Sequence, residues 1–450
     1  MSIIEEKYQQ TLDYLYSFVD FSLAHNLLYS PEKFNLARMR SFVQALANPH
    51  LKYPLIHIAG TKGKGSIAAL CASALQAAGY KTGLYTSPHL DDYGERIQVN
   101  GAQISHLELV ELVDELKPLI ASIPEITTFE ITTGLAFEYF ARQGVNAAVI
   151  EVGLGGRLDA TNIVSPLVSV ISSISYDHTQ VLGDTLAKIA YEKAGIIKPG
   201  IPVVTAPQVD EARQVLEQVV FERGCRLIDV GREYQAEVSA KSLEGQTILL
   251  SARQPGSIPG LPLPLHIPLL GQHQVWNMVT AYAALQTAAE GGLEIRGDAI
   301  RRGFAHVSWP ARFEVLQRQP PVILDCAHNR DSAHKLRLTV DEYFPDWPLV
   351  VLFGASEDKD IAGMFSELLP RARELIVAKS FHPRAIDPQL LQDLAQPYRI
   401  PVQIIPEIVD AFAEAQRRAG AEMAILVTGS IFVAAAVRIE WNKQHPSSAP

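Results

Sequence analysis

The chain has 450 residues, of which 48% are hydrophobic and 20% charged, with a formal net charge of −10. That length implies about two domains, each able to bury a full core, and the acidic balance excludes a nucleic-acid backbone or an anionic membrane as the main partner. Three separated cysteines, Cys71, Cys225 and Cys326, exclude a disulfide framework and a thiolate zinc site and read as buried thiols.

The opening MSIIEEKYQQ lacks the basic segment and apolar core of a signal peptide, which makes the cytoplasm the expected location. Amphipathic helix patterns at 3–22 and 33–47 precede a buried strand at 55–59. The strand runs into Gly60-Thr61-Lys62-Gly63-Lys64-Gly65-Ser66, and a helix pattern follows. Strand, glycine-rich turn and helix together make a phosphate-binding loop: backbone N–H groups turn inward, Lys64 brings a mobile charge and the helix its positive end. The spelling departs from the strict form, because Gly65 follows the lysine and Ile58 stands where the first glycine belongs. A glycine turn with no ligand is the alternative.

Strand patterns then recur at 82–86, 147–152, 168–174 and 202–205, with helices at 65–78, 105–121, 129–142, 185–195 and 210–223. This alternation predicts a mostly parallel sheet covered on both faces, with ligands at the carboxyl ends of its strands. Residues 226–270 break the rhythm with short strand patterns and a Pro-rich loop. Helices at 273–289 and 297–305 close the first unit. After Trp309-Pro310 a second series begins, with strands at 313–316, 322–325, 349–354, 374–378, 402–405 and 424–428. The fold class is therefore α/β: a P-loop-containing, mostly parallel sheet domain at 1–307, then a smaller Rossmann-like doubly wound domain at 308–450. Two such domains imply a cleft that closes over substrates.

Four strand-end or helix-end segments offer ligands for a magnesium nucleotide. Ser87, in Thr86-Ser87-Pro88-His89, is either a metal-binding hydroxyl or a helix cap. Glu151 ends an apolar run and must be offset by a metal or by a salt bridge to Arg157. His178 follows Asp177 beyond a third strand. Lys193, in Glu192-Lys193-Ala194-Gly195, reads by itself as an exposed cation complementing a helix C-terminus. In the second domain Arg312 suits either phosphates or a surface ion pair, Asp325 suits a ribose, and in the first Asn277 suits an adenine edge or a cap.

Taken in order, these motifs, with Phe129-Glu130, Glu151 to Asn162, His273-Gln274, Ala327-His328-Asn329 and Asp358-Lys359-Asp360, resemble the folylpolyglutamate synthase and dihydrofolate synthase family of the Mur ligase superfamily, from about Phe34 to Phe432. The inserted glycine of the loop is that family's own spelling. The resemblance implies that Lys64 and Gly60, Thr61, Gly63, Gly65 and Ser66 hold the ATP phosphates. It implies that Ser87 and Glu151 hold one magnesium and His178 a second, and that Lys193 is carbamylated. Asn277, Arg312, Asp325 and His328 would complete the nucleotide site, with Lys64, Lys193, His178 and Arg312 serving catalysis. Thr127, Phe129, Leu158, Asp159 and Ala160 would meet the pterin substrate.

The implied reaction is attack of a pteroate or folate carboxylate on the γ-phosphate, then displacement of phosphate by the amine of L-glutamate. Domain closure would keep the acyl phosphate from water. The expected partners are small molecules bound by a monomer, with no nucleic acid and no membrane. Lys62, Ala311, Cys326 and Arg330 stand where the family usually has Asn, Gly, Gly and Pro, which touches local loop shape. A monofunctional folylpolyglutamate synthase, a Mur-type cell-wall ligase and a nucleotide-dependent switch are the competing readings.

Overall fold

The computed structural model describes residues 2–19, 36–380 and 383–446. Phe34, where the resemblance begins, residues 20–22 and 33–35 of the expected helices, and the end of the polar tail at 447–450 lie outside them. The chain divides into two compact units, one built from 1–240, 247–267 and 274–307, the other from 241–246, 268–273 and 308–450.

The first unit carries an eight-stranded sheet of β1 (Leu55–Ala59), β2 (Thr82–Tyr85), β3 (Ile97–Val99), β4 (Ala102–Gln103), β5 (Ala147–Glu151), β6 (Val168–Ile171), β7 (Val203–Thr205) and β8 (Leu227–Asp229), in the order β4-β3-β2-β5-β1-β6-β7-β8. All pairings from β2 to β8 are parallel, and only the β4-β3-β2 edge is antiparallel. Full burial of β1 and β5 on both faces explains why they are apolar but for His57 in the middle of β1 and Glu151 at the end of β5. β1 lies between β5 and β6, so the loop that follows it opens at the middle of the carboxyl edge.

The helices of this unit are α1 (Ile3–Tyr16), α2 (Leu36–Ala45), α3 (Lys64–Ala77), α4 (His106–Ala121), α5 (Thr128–Arg142), α6 (Thr179–Leu182), α7 (Leu186–Ala194), α8 (Asp210–Glu222), α9 (Val230–Glu233), α10 (Gln272–Glu290, whose first two residues count with the second unit) and α11 (Gly297–Ala305). Capping boxes start α4 and α5: Ser105 with Glu108, and Thr127 with Glu130. Behind them Phe42, Phe137, Phe140, Tyr85 and Tyr93 share one buried cluster; each large side chain so buried contributes about 2–3 kcal/mol.

Several boundaries differ from the sequence reading, four of them for a reason the structure shows. α1 stops at Tyr16 rather than 22: Ser17 is its C-cap, and Val19 leaves the helix path to pair with Thr127. β6 stops at Ile171 rather than 174, because the next residues run beneath the glycine-rich loop, where Ser173 O accepts Thr61 N–H at 2.9 Å and Lys62 N–H at 3.2 Å. The strand expected at 313 begins at Glu314, since Phe313 takes a left-handed φ of 51°. Finally, 241–246 and 268–273 group with the second unit: Gln246 Nε2 donates to Leu269 and Gly271 carbonyls, and Lys241 pairs with Glu342 at 2.5 Å.

The first of those segments is the turn between β9 (Tyr234–Ser242) and β10 (Gly245–Ala252) with the strand ends beside it, and the second follows β11 (Leu263–Ile267); the three strands form one sheet in the order β11-β10-β9. The second unit has β12 (Glu314–Arg318), β13 (Pro321–Leu324), β14 (Leu349–Phe353), β15 (Ala372–Val377), β16 (Val402–Ile404) and β17 (Ala424–Thr428), in the order β12-β13-β17-β14-β15-β16. Only β12 runs antiparallel to its neighbour. The helices α12 (Arg330–Tyr343), α13 (Ile361–Leu368), α14 (Pro388–Ala395), α15 (Ile408–Ala419) and α16 (Ile431–Gln444) bury two apolar clusters against its two faces. Among the described residues no helix is long and apolar enough to cross a membrane.

Candidate active site

The glycine-rich loop joins β1 to α3, whose N-cap is Gly63 at φ 89°. A side chain there is doubly disfavoured: the backbone is left-handed, and a Cβ would lie 2.2 Å from Asn277 Oδ1. Gly63 makes no side-chain cap, so the first N–H groups of α3 face a place suited to an anion. Thr61 does other work. Its N–H goes to Ser173 O, and its hydroxyl both donates to Ser175 O and accepts from Ser175 N–H at 3.2 Å, fastening the loop to the chain after β6.

Around this loop the adjacent strands β2, β5 and β6 deliver one group each. Glu151, 5% exposed, ends β5. Its carboxylate lies 3.8 Å from Lys64 Nζ and accepts Ser87 N–H at 3.3 Å. Lys64 is therefore the cation beside Glu151, whereas Arg157 forms a bidentate pair with Glu192 at 2.8 and 3.0 Å. Ser87 caps no helix, since Asp92 caps the turn that follows. Past β6, Lys62 Nζ lies 2.8 Å from Asp177 Oδ2, and Asp177 Oδ1 accepts His178 N–H at 3.0 Å. His178 itself takes φ 49° at the start of α6 and is well exposed.

Lys193 is not the exposed helix-end cation that its spacing suggests. It is 4% exposed in the last turn of α7 and donates to Gly60 O at 2.8 Å, directly under the loop. Burial, reinforced by the nearby Lys64 and Lys62 charges and opposed by Asp177, pushes its pKa down to about 7. A lysine so poised is neutral in substantial part near pH 7, as nucleophilic and carbamylated lysines must be.

Asn277 lies inside α10, 8% exposed, with its Nδ2 donating to Gln274 Oε1 at 2.9 Å; it is not a helix cap. Thr127 is buried as the N-cap of α5. Phe129 covers Gly153 so closely that a Cβ there would meet its ring at 2.4 Å. Leu158, Asp159 and Ala160 belong to the loop that Gly153 opens. Asp159, 5% exposed, accepts Gly153, Leu154 and Thr161 N–H groups at 3.0–3.1 Å, so its carboxylate organises the loop from within.

In the second unit, Asp325 follows β13 and accepts Phe313 and Ala327 N–H groups, each at 2.8 Å. His328 Nδ1 lies 2.8 Å from Cys326 O, which makes that nitrogen the donor. Arg312 Nη1 donates to Ala311 O at 3.0 Å. Burial pushes the Cys326 thiol up to about 12, in keeping with a core thiol.

The Mur ligase middle domain matches residues 58–285 and the Mur ligase glutamate ligase domain residues 311–431. Over 440 residues the sequence is 34% identical to the dihydrofolate synthase/folylpolyglutamate synthase of Bacillus subtilis, covering 93% of this chain and 97% of that one. The chain belongs to the dihydrofolate synthase/folylpolyglutamate synthase family. Among solved structures, the Mycobacterium tuberculosis folylpolyglutamate synthase complexed with ADP superposes with a TM-score of 0.86 at 31% identity, covering 97% of this chain and 99% of that one. The E. coli FolC in complex with DHPP and ADP gives 0.82 at 30% identity, covering 97% and 98%.

Family membership gives the loop its ligand class, and the geometry adds groups the sequence did not single out. The Lys62–Asp177 pair is one. A hydrogen-bonded line from His57 to the Asp159 loop is another. Both join residues more than a hundred positions apart, a distance at which no local pattern operates.

Proposed function

We propose that this chain uses ATP to join L-glutamate to dihydropteroate and to the glutamate tail of reduced folates. The observation that supports this most is the convergence of Lys64, Glu151 and Ser87 beside the glycine-rich loop, with Lys193 beneath it. A carboxylate is a poor electrophile, so its oxygen first takes the γ-phosphoryl of ATP, releasing ADP. The neutral glutamate amine then attacks the acyl phosphate, an amide bond forms, phosphate leaves with the bonding pair, and the nitrogen gives up one proton to the departing phosphate. Lys64 offsets charge on the transferred group.

The donor set fits magnesium: a carboxylate and a hydroxyl are hard ligands, and the ion keeps several waters of its own. Among the described residues no three His, Cys, Asp or Glu side chains gather as a cage, as a site shared with nucleotide and water does not require. Magnesium would be held by Ser87 and Glu151, and a second ion by His178, supplying charge neutralisation at the phosphates. Carbamylated Lys193 would add an oxygen anion there. Gly60, Thr61, Gly63, Gly65, Ser66, Asn277, Arg312, Asp325 and His328 take the nucleotide, and Thr127, Phe129, Leu158, Asp159 and Ala160 the pterin, in the same reading. The protein works in the cytoplasm and as a monomer; sedimentation tests the oligomeric state.

The deciding experiment follows ADP release with dihydropteroate and with tetrahydrofolate side by side, each with and without L-glutamate. Release that needs glutamate and occurs with both acceptors is expected. Release with tetrahydrofolate alone makes the enzyme a monofunctional folylpolyglutamate synthase, and release with neither overturns the reading.

A further inference from the structure

His57 sits in the middle of β1 with no exposed surface. Its Nε2 lies 2.9 Å from Thr161 Oγ1, and Thr161 Oγ1 lies 2.5 Å from Asp159 Oδ1. The direction of this line follows from what lies at its two ends. Burial pushes the Asp159 carboxyl above its ordinary value, and the three backbone N–H groups it receives oppose that shift and favour the accepting carboxylate. At the other end His57 Nδ1 is buried with no hydrogen-bond partner. A buried orphan acceptor is tolerated better than a buried orphan N–H, so the proton belongs on Nε2. The line therefore runs His57 Nε2–H to Thr161 Oγ1, and Thr161 O–H to Asp159 Oδ1.

We infer that His57 is a positioning residue for the pterin substrate: acting through Thr161, it sets the Asp159 carboxylate and with it the loop from Gly153 to Ala160. The inference rests on the proposed role of that loop in binding the pterin. The loop is braced on its other side by the Arg157–Glu192 pair and by Arg157 N–H on Glu192 O at 2.8 Å. His57 supplies the brace from the sheet. A polar ring in a strand whose other residues are apolar and buried is costly unless its hydrogen bond serves a purpose. Here the line ends at a loop residue that neighbours Leu158 and Ala160, with Phe129 over the loop's first turn.

The test uses steady-state kinetics on the full enzyme. His57→Leu removes the donor, and His57→Gln keeps an N–H near the place of Nε2. The expected result for His57→Leu is a rise in KM for the pterin substrate of about ten-fold, the scale of one positioned hydrogen bond, with KM for ATP within two-fold, and recovery of most of the loss in His57→Gln. Because β1 feeds the ATP loop, a merely structural lesion would raise KM for ATP as well, and that outcome overturns the inference. Thr161→Val cuts the same line without touching β1 and carries the test if His57→Leu does not fold. In the double variant the two effects should not add; additive losses also overturn the inference. Asp159→Ala separates the two ideas. If it raises the pterin KM while His57→Leu and Thr161→Val do not, the loop's role stands and that of His57 falls. If it leaves the pterin KM unchanged, both fall.

Discussion

Lys62 Nζ lies 2.8 Å from Asp177 Oδ2, with side chains 14% and 7% exposed. The pair ties the glycine-rich loop to the segment that carries His178, across 115 positions of sequence. Removing one partner of a nearly buried pair leaves its neighbour a charge in poor solvent, which costs more than the pair contributes. Lys62→Met should therefore lower stability by about 2–4 kcal/mol, and adding Asp177→Asn should recover part of it. Urea unfolding of the two single variants and the double variant measures the coupling; strictly additive losses would count against it.

Lys193, with its pKa near 7, should make activity depend on carbon dioxide. Only a neutral amine forms a carbamate, and this amine is about half neutral at pH 7, against less than about one part in a thousand for an ordinary lysine. As pH falls below 7 the ammonium takes over and the carbamate is lost. Carbon-dioxide-free buffer at pH 6 should thus abolish most activity, and bicarbonate at pH 8 should restore it. Lys193→Ala should lose amide formation by about two orders of magnitude or more, with partial rescue by short carboxylic acids. Stability moves in a defined direction too. The folded pKa lies below the unfolded 10.5, so the unfolded chain holds the extra proton between them and stability rises with pH above about 7. Full activity of Lys193→Ala would remove the carbamate.

The parts that sequence made legible are those in which one physical demand repeats locally. Fully buried parallel strands such as β1, β5, β14 and β17 need largely apolar runs, and helix caps need particular side chains at fixed offsets. Ser87, Glu151 and His178 could be nominated because each stands at a strand end. The β3–β4 edge passed unread although Asn100-Gly101, both at positive φ, is the expected two-residue hairpin turn. The burial of Lys193 is not legible, since its spacing shows a helix end but not the loop lying on top of it. The His57 line and the Lys62–Asp177 pair are set by which strands become neighbours, and that is decided by packing of the whole sheet.

Gly195 offers a test of how closely the Asp159 loop must sit on α7. Its φ of −56° is ordinary for any residue, so the glycine is needed for space. A Cβ there would lie 2.3 Å from Arg157 Cα, a backbone atom that cannot rotate away. Gly195→Ala should cost about 1–3 kcal/mol through overpacking and displace the loop, raising KM for the pterin more than KM for ATP. Equal changes in the two constants would show that the strain spreads to the glycine-rich loop instead.

His106, the first residue of α4, bridges two carboxylates: Nδ1 lies 2.9 Å from Glu5 Oε1 and Nε2 3.1 Å from Asp92 Oδ2. Its ring stacks on Tyr8 at 3.7 Å between centroids, and Tyr8 O–H donates to Asp92 at 3.0 Å. Burial opposes the imidazolium, but hydrogen bonds and charge from Glu5 and Asp92 outweigh it and raise the pKa above the usual 6.5. Only the doubly protonated ring donates to both acids. Since the folded pKa exceeds the unfolded one, the latch contributes fully below about 6.5 and is lost as pH rises through the raised value. It holds α1, whose far end bears on α5: Thr128 Oγ1 donates to Leu15 O at 3.0 Å and Thr128 N–H to Val19 O at 3.2 Å. Hydrogen exchange of residues 3–16 should therefore quicken between pH 6 and pH 8.5 beyond the intrinsic rate, and by less in high salt, which screens the pair because Glu5 is half exposed. His106→Ala should exchange fast throughout and show none of this pH dependence. The same loosening withdraws support from the start of α5, where Thr127 and Phe129 lie, so the pterin KM of the native enzyme should rise over that range while the variant's stays flat. A variant that keeps the native pH profile would assign the dependence to another group.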